Sequence, residues 1–283
     1  MMKEIDWKAE EFTAAVTTGA AVGLAALAAA RSHHVPSFYF ESVSRVKGPS
    51  LTGKLASLDP QIHTYCQYEH WAGRRWHYRR SLFDSYETLP KPEVERPRLF
   101  VTLGTIYPYR FDALVDAILL TGLADSRTVW QLGTTTRRGL PGTAVSQMGA
   151  AEFEDCARAA DVVITHAGVG TIMHLLEMGL FPVVVPRRAK RNEHIDDHQA
   201  QIAGLLNSRA ISMVTETDEL DRNTIIAASA ISVRSTAGPA TRGDRSSSVQ
   251  LRNASAPLRS ETADKGGYAA TTLHLPSGRT EIT

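Results

Sequence analysis

The clearest pattern along the chain is a run of short, uninterrupted apolar stretches, each closed by glycine or proline and followed by a segment of helical period. Arg98 to Leu103, Thr128 to Leu132, Asp161 to Thr165 and Phe181 to Val185 read as strands. Asp161 to Thr165 shows no alternation of polar and apolar positions, as expected in the middle of a parallel sheet. Between them, Phe111 to Leu120 places Phe111, Leu114, Val115, Ile118 and Leu119 on one helical face. Phe153 to Ala160, Ile172 to Met178 and His198 to Leu206 complete a strand–helix alternation, with Gly179 at a helix end. Such alternation predicts right-handed crossovers and a mostly parallel α/β sheet.

The first part of the chain, to about Glu87, carries a shorter version of the pattern. Ala14 to Thr17 reads as the end of a strand. Thr18-Gly19-Ala20-Ala21 opens an apolar helix through Ala30, and Ser37 to Phe40 reads as a buried strand ending at Glu41. The Ala/Gly-rich run Gly19 to Ala30 is shorter than the about 20 residues that cross a bilayer, and suits a close-packed buried helix. An aromatic and basic stretch follows, Tyr65 to Tyr78, with no element assigned. The proline- and charge-rich segment 89–97 reads as a linker. The expected division is therefore residues 1–88, a partial Rossmann-like domain; 89–97, a linker; 98–226, a Rossmann-type domain; and 227–283, a disordered tail rich in Ser, Arg, Ala, Gly and Thr. A shifted reading frame would give similar text in that tail.

Composition narrows the function more by exclusion than by assignment. The formal net charge of +1 over 283 residues argues against nucleic acid as a partner. The two cysteines, Cys66 and Cys156, have no metal-ligand spacing and read as reduced thiols in a cytoplasmic protein, so no metal is expected. No secretory signal is recognisable. A dinucleotide-dependent dehydrogenase is disfavoured, because no GxGxxG follows the first strand.

Two glycine turns stand at the C-terminal ends of expected parallel strands: Leu103-Gly104-Thr105 and His166-Ala167-Gly168-Val169-Gly170-Thr171. Ligands bind at that edge of open α/β sheets, and glycine lets backbone N–H groups approach a phosphate at a helix N-terminus. Glycine also serves such turns for steric reasons alone, so neither turn identifies a ligand by itself. The polar loop from Arg187 to Asp197, with Arg187, Arg188, Lys190 and Arg191, could face an anion or be an ordinary solvated loop.

The segments VTLGT, ARAADVVITHAGVGT, EMGLFPVVVPR and NEHIDDHQ, in this order, resemble the C-terminal, nucleotide-binding domain of family 28 glycosyltransferases, over about Arg98 to Met213. The resemblance is nearest to catalytic subunits of two-part enzymes. These are the eukaryotic GlcNAc-transferase of the dolichol pathway and the bacterial exopolysaccharide glucuronosyl- or glucosyltransferases. TTGAAVGLAALAAA and FYFESVSRVKGPSLTGK resemble their membrane-recruiting partner subunit, so both parts stand here in one chain. The resemblance implies a GT-B-like fold and transfer of a hexosyl, GlcNAc or glucuronosyl group. The donor is a UDP-sugar and the acceptor a polyprenyl-linked saccharide, in surface polysaccharide synthesis at the inner face of the cell membrane. No cofactor or essential metal is implied.

The same resemblance implies that Gly104 and Thr105 lie near the diphosphate, and that His166, Gly168, Gly170 and Thr171 form the loop under the phosphates and ribose. Asp197, His198 and Gln199 contact the donor sugar, with Arg188 and His194 as candidates for an acidic group. Relatives often carry a ribose-binding glutamate where His174 stands; the nearby carboxylate is Glu177. The partner subunit's glycine-rich GGH-type loop and anchoring helix are not found in this sequence, so the acceptor-side base is not named. Glu41 and His70 are its candidates. The alternative is a UDP-sugar-binding module that is non-catalytic or turns over only with a partner.

Overall fold

The computed structural model describes residues 12–105, 107–193 and 198–236. They fall into two units, with the break after Leu82.

In the first unit, β1 (Ala15–Thr17), β2 (Ser37–Phe40), β3 (Ile62–Cys66) and β4 (Trp76–Tyr78) form a four-stranded sheet in that order, every pair parallel. The helices α1 (Ala20–Ser32) and α2 (Leu51–Ser57) supply the first two crossovers. The core is Leu27, Ala30, Tyr39, Ile62 and Trp76, with Tyr39 edge-on to Trp76 at 5.9 Å. Gly23 lets α1 lie against β1, since a Cβ there would stand 2.2 Å from Thr17 Oγ1. Contrary to expectation, α1 is buried on one face only, through Gly23, Leu27 and Ala30, while Ala21, Val22, Ala25 and Ala28 are exposed.

The second unit is built on six parallel strands: β6 (Leu99–Thr102), β7 (Val129–Gln131), β8 (Thr143–Val145), β9 (Val162–His166), β10 (Val183–Val185) and β11 (Met213–Val214). Their order is β11-β10-β9-β6-β7-β8. The connecting helices are α3 (Asp112–Leu120), α4 (Ala150–Ala159), α5 (Val169–Glu177) and α6 (His198–Arg209). β6 and β9, wholly apolar through Ile164, are buried on both faces. From β6 the chain runs outward to β7 and β8, then returns to place β9 on the other side of β6. The crossovers after β6 and β9 therefore diverge, and a crevice opens at the C-terminal ends of these two strands.

The domain boundaries differ from those expected. Tyr86–Pro90 is a strand, β5, of the second unit, paired antiparallel with β12 (Ile231–Ser235). The remainder of the expected linker is also held, with Ser229 Oγ accepting from Val94 N–H at 2.9 Å. The expected tail likewise begins too early. Arg222–Ser229 is helix α7, capped by Asp221, whose carboxylate accepts from Thr224 N–H at 2.7 Å, and β12 follows it. Sparse apolar residues concealed β12 because it buries one side chain deeply, Val233. Residues 237–283 of the expected tail lie outside the described residues.

Candidate functional site

The crevice between β6 and β9 is a cavity of about 550 Å³. Thr102 to Thr105 line it from β6, Gln131 from β7, His166 from β9, and Gly170, Thr171 and His174 from α5. Met148, Ala150 and Phe153 close its apolar side. Six expected site residues thus meet at one place: Gly104, Thr105, His166, Gly170, Thr171 and His174.

The two glycine turns have a shared steric reason. A Cβ on Gly104 would lie 2.8 Å from His166 Nε2, and one on Gly168 would lie 2.3 Å from the same atom. The imidazole is sandwiched between two backbones that must both lack a side chain. Gly170, by contrast, has open space where a Cβ would stand.

Helix α5 begins at this turn. Its N-cap, Gly168, offers no side-chain acceptor, and its first turn holds no acidic residue. The leading N–H groups of a helix have no acceptor within it, and their partial positive charge favours an anion. Here they stand beside the cavity, the arrangement that binds phosphate in α/β folds. One turn on, His174 presents Nε2 to Glu154 Oε1 at 3.4 Å and packs against Phe153 at 5.8 Å between ring centroids. A histidine–carboxylate pair thus occupies the position at which relatives were expected to carry a carboxylate alone. Glu177 is exposed at the far end of α5, away from the cavity lining.

The basic loop after β10 does not present four cations to the cavity. Arg188 donates Nε to both Glu216 oxygens, at 3.1 and 3.2 Å, and an Nη2 contact joins the same carboxylate. Arg191 reaches Glu193 and Glu216, each at 3.2 Å. Arg188, beside Glu216, holds that carboxyl below the usual carboxylate range. A depressed carboxyl pKa favours the fold above the unfolded value, and that contribution is lost as pH falls through the folded one. Arg188 is therefore half-buried in an ion pair, and does not line the cavity as a candidate for an acidic ligand would.

Arg187, which the sequence grouped with its neighbours, is 1% exposed. Its Nη1 donates to Tyr109 O at 3.1 Å and its Nη2 to Gly104 O at 3.1 Å. The guanidinium lies 5.3 Å over the Phe111 ring. Burial brings its pKa down to about 10, against an opposing pull from Glu193, so it remains a cation at neutral pH. Gln199 was expected at the donor sugar. It is buried, its Oε1 accepts from Arg187 N–H at 3.0 Å, and it is not part of the cavity lining. His194 and Asp197 lie outside the described residues; His198 opens α6, and its side chain lies outside them too.

In the first unit both candidate bases have structural partners. Glu41 is 2% exposed. One carboxylate oxygen accepts from Ser42 N–H at 3.0 Å, the other from Ser50 N–H at 2.8 Å and Ser50 Oγ at 3.0 Å. Ser50 in turn caps α2 by accepting from Gly53 N–H at 3.0 Å. Glu41 thus organises the start of a helix, which replaces its expected role as a base. His70 is exposed, with Nε2 at 2.6 Å from Val46 O. Among the described residues no cluster of three His, Cys, Asp or Glu side chains could hold a metal ion, and no helix is long and apolar enough to cross a membrane.

Residues 138–245 match the family model described as glycosyltransferase family 28 C-terminal domain. This span contains the His166–Thr171 turn and the loop after β10. No curated protein matches the chain. Among solved structures, MurG of Acinetobacter baumannii is similar at 15% identity and a TM-score of 0.49, over 78% of this chain and 65% of that one. The calicheamicin glycosyltransferase CalG4 is similar at 16% identity and a TM-score of 0.43, over 73% and 63%. SnogD, a glycosyltransferase from Streptomyces nogalater, is similar at 18% identity and a TM-score of 0.35, over 72% and 69%. The chain thus spans less than two thirds of the length of the first two.

Proposed function

We propose that this chain is a glycosyltransferase that moves a hexosyl, GlcNAc or glucuronosyl group from a UDP-sugar to a polyprenyl-linked saccharide acceptor. The observation that carries the reading is the cavity at the switch point between β6 and β9, with the uncapped N-terminus of α5 on its rim. It stands together with the family match that begins at residue 138.

Such a site suits a diphosphate leaving group. As the anomeric bond breaks, negative charge grows on the departing UDP, and preorganised N–H groups stabilise it without a bound metal. A general base on the acceptor side would take the proton of the attacking hydroxyl. Since Glu41 is committed to Ser42 and Ser50, a second reading also has support: the chain holds the donor and turns over only beside a partner that supplies the base.

Peripheral attachment to the inner face of the cell membrane belongs to the same proposal. Its support is the outer face of α2 with the residue that ends it, where Leu51, Leu55 and the C-cap Leu58 are 75%, 50% and 77% exposed. Every ionisable side chain from Ser42 to Ser57 is basic: Arg45, Lys47 and Lys54. Apolar side chains flanked by cations suit an anionic lipid surface. Leu55→Glu with Leu58→Glu should lower co-sedimentation with phosphatidylglycerol vesicles by about tenfold, while the melting temperature stays unchanged. Equal binding by this variant and the parent would remove α2 from the proposal.

The donor is tested by melting the protein with UDP, UDP-GlcNAc, UDP-glucose and UDP-glucuronate, against GDP and dTDP. A ligand at about a hundred times its Kd adds about 2.7 kcal/mol of stability. A shift with a UDP-sugar, followed by transfer to a polyprenyl-linked acceptor, supports the enzyme. A shift without transfer, with transfer restored by a second subunit, supports the partner-dependent reading. No shift with any nucleotide would end both.

A further inference from the structure

We infer that Arg187 is a positioning residue that aims the Thr105 N–H at the cavity by holding the Gly104 carbonyl from behind. This rests on the nucleotide-sugar reading of the cavity and adds to it a residue that does not line it.

The geometry converges on one peptide. Arg187 Nη2 donates to Gly104 O at 3.1 Å. The same oxygen is hemmed in by Gly133, whose φ is +60° and on which a Cβ would stand 2.2 Å from it. His166 crowds the Cα of Gly104 from another side. The oxygen is therefore fixed in direction. The cis bond among the described residues is Tyr107–Pro108, so the Gly104–Thr105 peptide is trans. In a planar trans peptide the C=O and the following N–H point in opposite directions. With Gly104 O turned to Arg187, Thr105 N–H points away from it, and Thr105 is an exposed residue of the cavity lining.

Arg187 is suited to this task. Its planar fork also reaches Tyr109 O at 3.1 Å, so one guanidinium spans the Gly104–Tyr109 loop. Gln199 fixes its backbone and Phe111 lies under its charged plane. A lysine keeps the cation but cannot hold two carbonyls in a fixed plane. Its buried charge sits behind the same peptide, which further polarises the N–H facing the cavity.

A residue that aims an amide at phosphate must act on the phosphates rather than on the whole ligand. The test compares Arg187→Lys and Arg187→Met with the parent for binding of UDP, uridine and inorganic pyrophosphate by calorimetry. The expected result is a loss of about tenfold or more for UDP and pyrophosphate, the size of one charge-assisted hydrogen bond, with uridine changed by less than about twofold. Arg187→Lys should recover thermal stability over Arg187→Met without recovering UDP affinity. Gly133→Ala, which presses on the same carbonyl and leaves Arg187 in place, should reproduce the phosphate-selective loss; it serves if the Arg187 variants do not fold.

Equal losses for UDP and uridine, or full UDP affinity in Arg187→Lys, would overturn the inference and leave Arg187 with a purely structural role. Pyrophosphate binding that depends on Arg187, without preference for UDP, would uphold the inference and defeat the nucleotide-sugar reading. Absence of all binding by the parent would defeat both.

Discussion

Replacing Gly168 with alanine should lower UDP affinity by about ten- to a hundredfold while the protein stays folded. Backbone strain is not the reason, because Gly168 has φ −82° and ψ 116°, which alanine adopts freely. The reason is the imidazole beside it. The new methyl would lie 2.3 Å from His166 Nε2 and 2.9 Å from its Cε1, inside any tolerable contact. The ring cannot retreat easily, since Gly104 closes it in on the opposite side. Either His166 or the first turn of α5 must move, and both border the cavity. Titration with UDP checks the first part of this expectation. A double-mutant cycle checks the cause: adding His166→Ala should restore part of the melting temperature lost by Gly168→Ala. Additive effects would show that the clash with His166 is not what matters.

The second large effect concerns the ribbon between β5 and β12. Val233 is 5% exposed and stands in the middle of β12, opposite Thr88. Val233→Asp would put a carboxylate where an apolar side chain is buried, a cost of about 3 kcal/mol or more. For a unit of this size that corresponds to a fall of about 6 to 12 °C in the melting temperature. Val233→Thr, similar in shape and uncharged, should fall by much less. A melting temperature within about 2 °C of the parent for Val233→Asp would mean that β12 adds little to the stability of the second unit.

The parts of the fold visible in the sequence are those whose cause is local. Val162-Val163-Ile164 is apolar without interruption, and His166-Ala167-Gly168 follows at once, so β9, its turn and α5 could be placed from a dozen residues. The cavity lining followed, because a parallel strand ending in glycine fixes where its helix begins. β3 was hidden for the opposite reason: Ile-His-Thr-Tyr-Cys alternates weakly, and it runs directly into an aromatic and basic stretch. β5 and β12 were hidden because each strand is completed by a partner far along the chain, Tyr86 meeting Ser235. A ladder of that kind has no local signature.

The basic loop shows how the same limit acts on a site. Arg187, Arg188 and Arg191 look equivalent in the sequence, five residues from end to end. Glu216 separates them by claiming Arg188 and Arg191, and it lies beyond α6. Only Arg187 goes inward. One signal was available: it follows Val183-Val184-Val185-Pro186 directly, and the residue just after a fully buried strand is still at core depth. Glu41 carries a similar lesson, because a carboxylate after a strand reads as a candidate base until the N–H groups of Ser42 and Ser50 are found upon it.

The antiparallel pairing of β5 with β12 also determines how the second unit responds to force. Tyr86, near its start, lies opposite Ser235, near its end. Tension applied at these two points loads the pair nearest the ends first and peels the ladder one hydrogen bond at a time, from Tyr86–Ser235 toward Pro90–Ile231. Sideways shear would load all the rungs together. These rungs therefore part in sequence, as a zipper opens, while on its other edge β12 is still held by Val233 N–H donating to Gly179 O at 3.0 Å.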